Sequence, residues 1–113
     1  MHELSLCREL VEVACTEAQR HAVARVRTVR VVVGQLAGVE PEALRFAFEV
    51  VARGTAVEGA TLELVEELGR ARCAPCATEV PLPSRFEPCP RCGGYELSLV
   101  AGDRLRLAEL EVD

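Results

Sequence analysis

Four cysteines stand as two pairs, Cys73-Ala74-Pro75-Cys76 and Cys89-Pro90-Arg91-Cys92, with twelve residues between the pairs. A Cys-x-x-Cys turn lets two thiolates reach one ion. Two such turns supply four sulfurs at about 2.3 Å from a tetrahedral Zn²⁺ and leave no open position for a substrate. The spacing points to a structural zinc site built by Cys73, Cys76, Cys89 and Cys92. Pro75, Pro88 and Pro90 restrict the backbone of the two knuckles, and Gly93-Gly94 permits the left-handed conformations that turn amide groups toward sulfur. The alternatives are a pair of disulfides or a redox Cys-x-x-Cys. The redox motif needs only one pair and a thioredoxin-like context that is missing here.

The second chemical feature is Met1-His2-Glu3. A histidine at position two can chelate a metal through the free α-amine, its own deprotonated backbone amide and an imidazole nitrogen, in adjoining five- and six-membered rings. Nitrogen sets of this kind favour square-planar Ni²⁺ or Cu²⁺. The Glu3 amide or another ligand could close the fourth position. An ordinary frayed terminus that happens to carry histidine is the competing reading. The only other histidine is His21, which a helix would place about 25 Å from the terminus at 1.5 Å per residue.

Length and composition bound what surrounds these groups. With 113 residues, half of them apolar, the chain has one domain's worth of core and should fold. Glu3, Arg8, Glu9, Glu12 and Glu17 interrupt any signal-peptide core, and no apolar run approaches the roughly 18 residues of a membrane span. The expected location is therefore cytoplasmic, where six cysteines serve as thiolate ligands rather than disulfides. A net charge of −5 argues against a general nucleic-acid binder, whose affinity comes from a basic surface. All 13 basic residues are arginine, and Arg70, Arg72, Arg85 and Arg91 gather around the knuckles. They could form a local basic surface for an acidic partner. No nucleophile–base pair and no glycine-rich phosphate loop is present, so no catalysis is expected.

The elements that must hold these groups follow from periodicity. From about Ser5 to Arg20, the residues Leu4, Cys7, Val11, Ala14 and Ala18 recur at helical steps, which places Cys7 on a buried stripe and Cys15 beside it. From Ala24 to Val33 a β-branched run ends at Gly34, as a strand should, with Val31, Val32 and Val33 expected to be covered on both faces. Pro41 fits the first turn of a second helix with Leu44, Ala47, Phe48 and Val51 inward and Gly54 at its stop. Thr61 to Glu67 alternates as a strand leading to a metal module that begins near Gly69. Beyond the second knuckle, Tyr95, Leu97 and Leu99 alternate, Gly102-Asp103 offers a hairpin turn, and Arg104 to Val112 returns. Leu105 and Leu107 are out of phase with Leu110 and Val112, so a bulge near Leu107 or Ala108 should carry this strand from the ribbon into the main sheet.

Taken together, Met1-His2-Glu3, the strand ending Val33-Gly34-Gln35-Leu36, the segment Val39-Glu40-Pro41-Glu42-Ala43-Leu44-Arg45-Phe46-Ala47-Phe48 and the cysteine pairs resemble the HypA/HybF family. The resemblance runs through the closing Leu105-Arg106-Leu107-Ala108-Glu109-Leu110-Glu111-Val112. It implies an α+β fold, a small domain of two helices and a three-stranded mixed sheet (residues 1–68 and 103–113) with an inserted zinc-ribbon domain (69–102). It further implies a nickel metallochaperone that binds Ni(II) at Met1, His2 and Glu3 as transferred cargo. Delivery would be to the [NiFe] hydrogenase large subunit in cooperation with the nickel-handling GTPase HypB, and some members of the family also serve urease. Some relatives contribute a further histidine to nickel from the zinc module; this chain has none there. The alternative reading is a zinc-ribbon module for protein interaction or nucleic-acid binding, with no nickel role. A zinc hydrolase would need a water-bearing position that four thiolates do not leave.

Overall fold

The computed structural model describes residues 2–112. Two helices and six strands follow one another as α1 (His2–Arg20), β1 (Thr28–Gly34), α2 (Pro41–Ala52), β2 (Thr61–Glu67), β3 (Arg70–Cys73), β4 (Thr78–Pro81), β5 (Leu97–Ala101) and β6 (Leu105–Glu111). The strands make two sheets, ordered β2-β1-β6 and β4-β3-β5. The Arg27 carbonyl accepts from Thr61 and that of Glu67 from Gln35, so β1 and β2 run parallel. Amides of Arg27 and Gly34 donate to Glu111 and Arg104, so β6 runs antiparallel to β1. The first sheet is therefore mixed, and the fold is α+β.

The chain divides into two compact units, one of Met1–Val32, Val39–Val65 and Arg106–Asp113, the other of Val33–Gly38 and Glu66–Leu105. In the first unit α1 packs on α2. Cys7, Leu10, Val11, Ala14 and Ala18 form the buried stripe of α1, which adds Leu10 to the expected set while Leu4 is only partly covered. The Cys7 thiol donates to the Leu44 carbonyl at 3.3 Å, and burial followed by the Glu3 charge pushes it up to about 11. It is a core thiol, kept neutral and unreactive at physiological pH.

Helix α2 starts where Pro41 permits, with Glu40 as N-cap accepting from the Ala43 amide. Its inward face is Leu44, Ala47, Phe48 and Ala52; Ala52 replaces the expected Val51, which is only partly covered. Arg53 ends the helix and Gly54 follows at φ +77°.

Strand β1 corrects one expectation. Val29 and Val31 are fully buried, but Val32 and Val33 are only partly so, and Arg30 occupies the opposite face. Its guanidinium meets the Glu63 carboxylate at 2.8 and 3.3 Å and pairs with Glu109 and Glu111, so one cation ties the central strand to both neighbours. The strand also begins at Thr28 rather than Ala24, since residues 24–27 serve the turn and lateral bonds.

The expected hairpin after Gly102 is a second correction. Strand β5 pairs with β3, from Cys73 opposite Leu97 to Arg70 opposite Ala101, whereas β6 pairs with β1. The chain changes sheet at Gly102-Asp103 instead of folding back on itself, and the strand β4 that flanks β3 had no sequence signal strong enough to place it.

Glycine is required where backbones close up. A Cβ on Gly34 would lie 2.3 Å from the Gly102 carbonyl oxygen, and one on Gly69 would lie 2.2 Å from that of Leu82. Gly34→Ala should therefore lower stability by about 1–3 kcal/mol, as overpacking does. Chemical denaturation of the purified variant measures this, and an unchanged midpoint would refute the close approach.

Candidate metal centres

The cysteine cluster is assembled from three pieces of chain. Cys73 ends β3, Cys76 closes the turn after it, and Cys89 and Cys92 follow the long loop from β4. Sheet pairing of β3 with β4 and β5 fixes the first turn. The second turn is fixed by its own amides: Cys89 donates to the Gly94 carbonyl and Gly93 donates to that of Cys89, both at 2.8 Å. Each turn ends in a left-handed residue placed directly after its second cysteine, Ala77 at φ +53° and Gly93 at φ +76°. Gly94, the other expected turn glycine, does not adopt a positive φ.

The result brings all four Sγ atoms within 4.8 Å of one another, with Cys73 and Cys92 at 3.6 Å and Cys76 and Cys89 at 4.0 Å. Zinc–sulfur bonds of about 2.3 Å at tetrahedral angles require sulfur separations of about 3.8 Å. Disulfide bonds require about 2.05 Å, and all six cysteines are free. The donor set thus fits a structural zinc ion by type, number and spacing. Its electrostatics agree. Backbone amides of Cys92 and Arg91 hold the Cys89 thiol down to about 6, while burial and then the neighbouring thiols push Cys76 up to about 12. A divalent cation among the four sulfurs would favour their thiolate forms. Cys73, Val80 and Cys89 are buried together beneath the centre, with Cys76 and Leu97 packed against them.

The terminal group is built differently. The helix begins at His2 rather than near Ser5, and Met1 lies outside the described residues. The His2 side chain is 55% exposed and its Nδ1 stands 3.8 Å from Glu3 Oε2. Glu3 is largely covered, because its carboxylate accepts from the Glu40 amide at 3.3 Å. That amide holds the Glu3 carboxyl below the usual carboxylate range. The first four N–H groups of a helix have no partner within it, so the amides of His2 and Glu3 are free of helical bonds. Sequence reasoning placed Glu40 in the segment before α2 but not against Glu3; a carboxylate next to Pro41 was the available sign of a cap.

His21 lies exposed near the end of α1, 3.9 Å from Glu17. Of the knuckle arginines, Arg70 pairs with Glu79 and Arg85 donates to the Leu36 carbonyl. Only Arg70 of the expected basic surface is paired with a carboxylate, and Arg72, Arg85 and Arg91 are exposed without a charged partner among the described residues. Among the described residues no helix is long and apolar enough to cross a membrane.

Comparison with known proteins covers the whole chain. Residues 1–112 match the family model described as "Hydrogenase/urease nickel incorporation, metallochaperone, hypA". The chain is 54% identical over 112 residues to the hydrogenase maturation factor HypA of Beijerinckia indica, covering 99% of each, and 49% identical over 113 residues to that of Alkalilimnicola ehrlichii, covering all of both. The solution structure of the Ni metallochaperone HypA from Helicobacter pylori shares the fold, with a TM-score of 0.72 at 22% identity over 96% of this chain and 95% of that one. A second solution structure titled as HypA protein gives 0.71 at 24% identity, over 98% and 95%.

The left-handed Ala77 carries a backbone cost that glycine would not. Ala77→Gly should raise the stability of the ribbon by about 1 kcal/mol, read as a higher thermal midpoint. A lower midpoint would show that its Cβ makes a contact worth more than the strain.

Proposed function

Because the chain belongs to the HypA family of hydrogenase and urease nickel-incorporation metallochaperones, we propose that it binds Ni²⁺ through Met1, His2 and Glu3. It hands the ion over for assembly of a [NiFe] hydrogenase centre, while Cys73, Cys76, Cys89 and Cys92 hold a structural zinc ion. The observation that carries the nickel reading is the exposed His2 imidazole at the open start of α1, where amide groups are free to become ligands. Nickel handling belongs to residues 1–68 and 103–113 and the zinc ribbon to 69–102.

The chemistry suits a carrier. The α-amine, the His2 amide and the imidazole form a tight planar nitrogen set, yet their place at the very end of the chain leaves the ion open to ligand exchange with an acceptor. The Glu3 carboxylate, bound to the Glu40 amide, anchors the turn next to the chelate, so that the Glu3 amide is presented at a fixed point. Four thiolates saturate the zinc and leave it no catalytic role, and the chain works by binding and transfer rather than as an enzyme.

The partners that follow are a HypB-type nickel-handling GTPase and the hydrogenase large subunit, with urease maturation proteins as further clients, all in the cytoplasm. A soluble acceptor would approach the exposed face of the terminus directly.

Titration of untagged protein with Ni²⁺ tests the assignment. One equivalent should bind with the absorption of a yellow, diamagnetic square-planar complex. His2→Ala, or an N-terminal extension that blocks the amine, should abolish that binding and leave the zinc content intact. Affinity should rise with pH, since the amine, whose ordinary value is about 7.7–8.0, and the amide must lose protons on binding. Unchanged titration in the blocked protein would refute the terminal site.

A further inference from the structure

The cysteine centre rests on a side chain that lies far from it in sequence. Leu36, between β1 and α2, is 3% exposed and is buried with Ala71 and Leu82, while Leu97 and Leu99 pack against the same group. Leu97 also packs on Cys73, Val80 and Cys89. Leu97 therefore joins the cluster that contains Leu36 to the one that carries the sulfurs. Ala71 stands two residues before Cys73 in β3, so the first knuckle grows directly out of the cluster that Leu36 completes.

The second knuckle is tied to the same residue. Arg85 lies four positions before Cys89, and its Nε donates to the Leu36 carbonyl at 2.7 Å. The Leu36 amide in turn donates to the Gly102 carbonyl at 2.6 Å, so both backbone groups of Leu36 are engaged. The neighbouring Gln35 accepts from the Gly69 amide at 2.9 Å. Room for the leucine comes from Gly69 itself, where a Cβ would stand 2.6 Å from Leu36 Cγ. A ribbon this short has little apolar volume of its own, and Leu36 supplies a large share of it.

We infer that Leu36 and Arg85 are positioning residues of the four-cysteine centre, Leu36 supporting both knuckles from below through Ala71 and Leu97 and Arg85 holding the loop that delivers Cys89. This rests on the reading of the cysteines as a zinc site. The centre is completed by a segment outside residues 69–102, and its hold on the metal is set partly by the connection between β1 and α2.

Zinc release from the full-length protein to an excess of a chromogenic chelator reads this directly. Leu36→Ala should release zinc about tenfold faster, because a cavity beneath the ligands relaxes only in part, and Leu36→Met should stay near the parent rate since it conserves volume. Arg85→Met keeps the stem and removes the donor; it should accelerate release several-fold, with Arg85→Lys restoring part of the difference. Leu44→Ala, a fully buried residue of the other unit, is the control for lost stability alone and should release zinc at the parent rate. Parent-like release from zinc-loaded Leu36→Ala and Arg85→Met overturns the inference, as does equal acceleration in Leu44→Ala. Should Leu36→Ala not fold, Arg85→Met decides. Absence of zinc and of cobalt–thiolate absorption in the parent protein would instead refute the zinc reading, and the positioning role with it.

Discussion

Four cysteine sulfurs gathered within 4.8 Å are the constraint around which the second unit is organised. As thiolates they would repel one another by about 4 kcal/mol for each pair of unit charges at 4 Å and an effective dielectric constant of 20. A divalent cation turns that repulsion into attraction, and the free energy of metal binding becomes free energy of folding. The local backbone is bent to suit: a left-handed alanine and a left-handed glycine each follow a second cysteine, and amides of the second turn are aimed at Cys89. The small three-stranded sheet serves mainly to hold one turn still, while the loop that carries the other is held by Arg85.

The first unit obeys a different logic. Its stability comes from ordinary burial, with Leu44, Val29, Val31 and Val57 fully enclosed and each such side chain contributing about 1.5–3 kcal/mol. The open side of the sheet is kept in register by Arg30 and its glutamates. The Glu3–Glu40 contact brings the start of α1 against the cap of α2.

On the proposed assignment the chain treats the two ions oppositely. A zinc ion in the cysteine cluster would have four donors of one type, one turn of which is fixed by sheet pairing, a setting that would slow exchange. For nickel, the proposed site is a terminal set of nitrogens whose binding is tunable by protonation. A carrier needs a rigid body for recognition and a labile site for its cargo, and the proposed assignment gives these demands to separate segments of the polypeptide.

Much of this was legible in the residues alone. The cysteine spacing fixed the composition of the zinc centre because two residues between cysteines is a local geometric requirement, and helical or alternating periodicity located both helices and β2, whose bounds of Thr61 and Glu67 coincide with those expected. Met1-His2-Glu3 suggests a chelate from sequence alone, since consecutive atoms need no tertiary structure to meet one ion, and the nickel site it gives is a proposal. The phase change of the last strand gave its passage into the main sheet, but periodicity did not exclude a hairpin with β5. The alternation of β5 and β6 is compatible with a hairpin, yet each joins a different sheet; Val32 and Val33 read as doubly buried, yet a charged clamp lies on their sheet. Leu36 and Arg85 carry no motif, and Glu40 no more than a capping signal. Their roles arise from contacts across 49 residues for Arg85 with Leu36 and 37 for Glu40 with Glu3. Spacing along a chain specifies chemistry that neighbours can perform together, whereas support from distant residues exists only once the fold has closed.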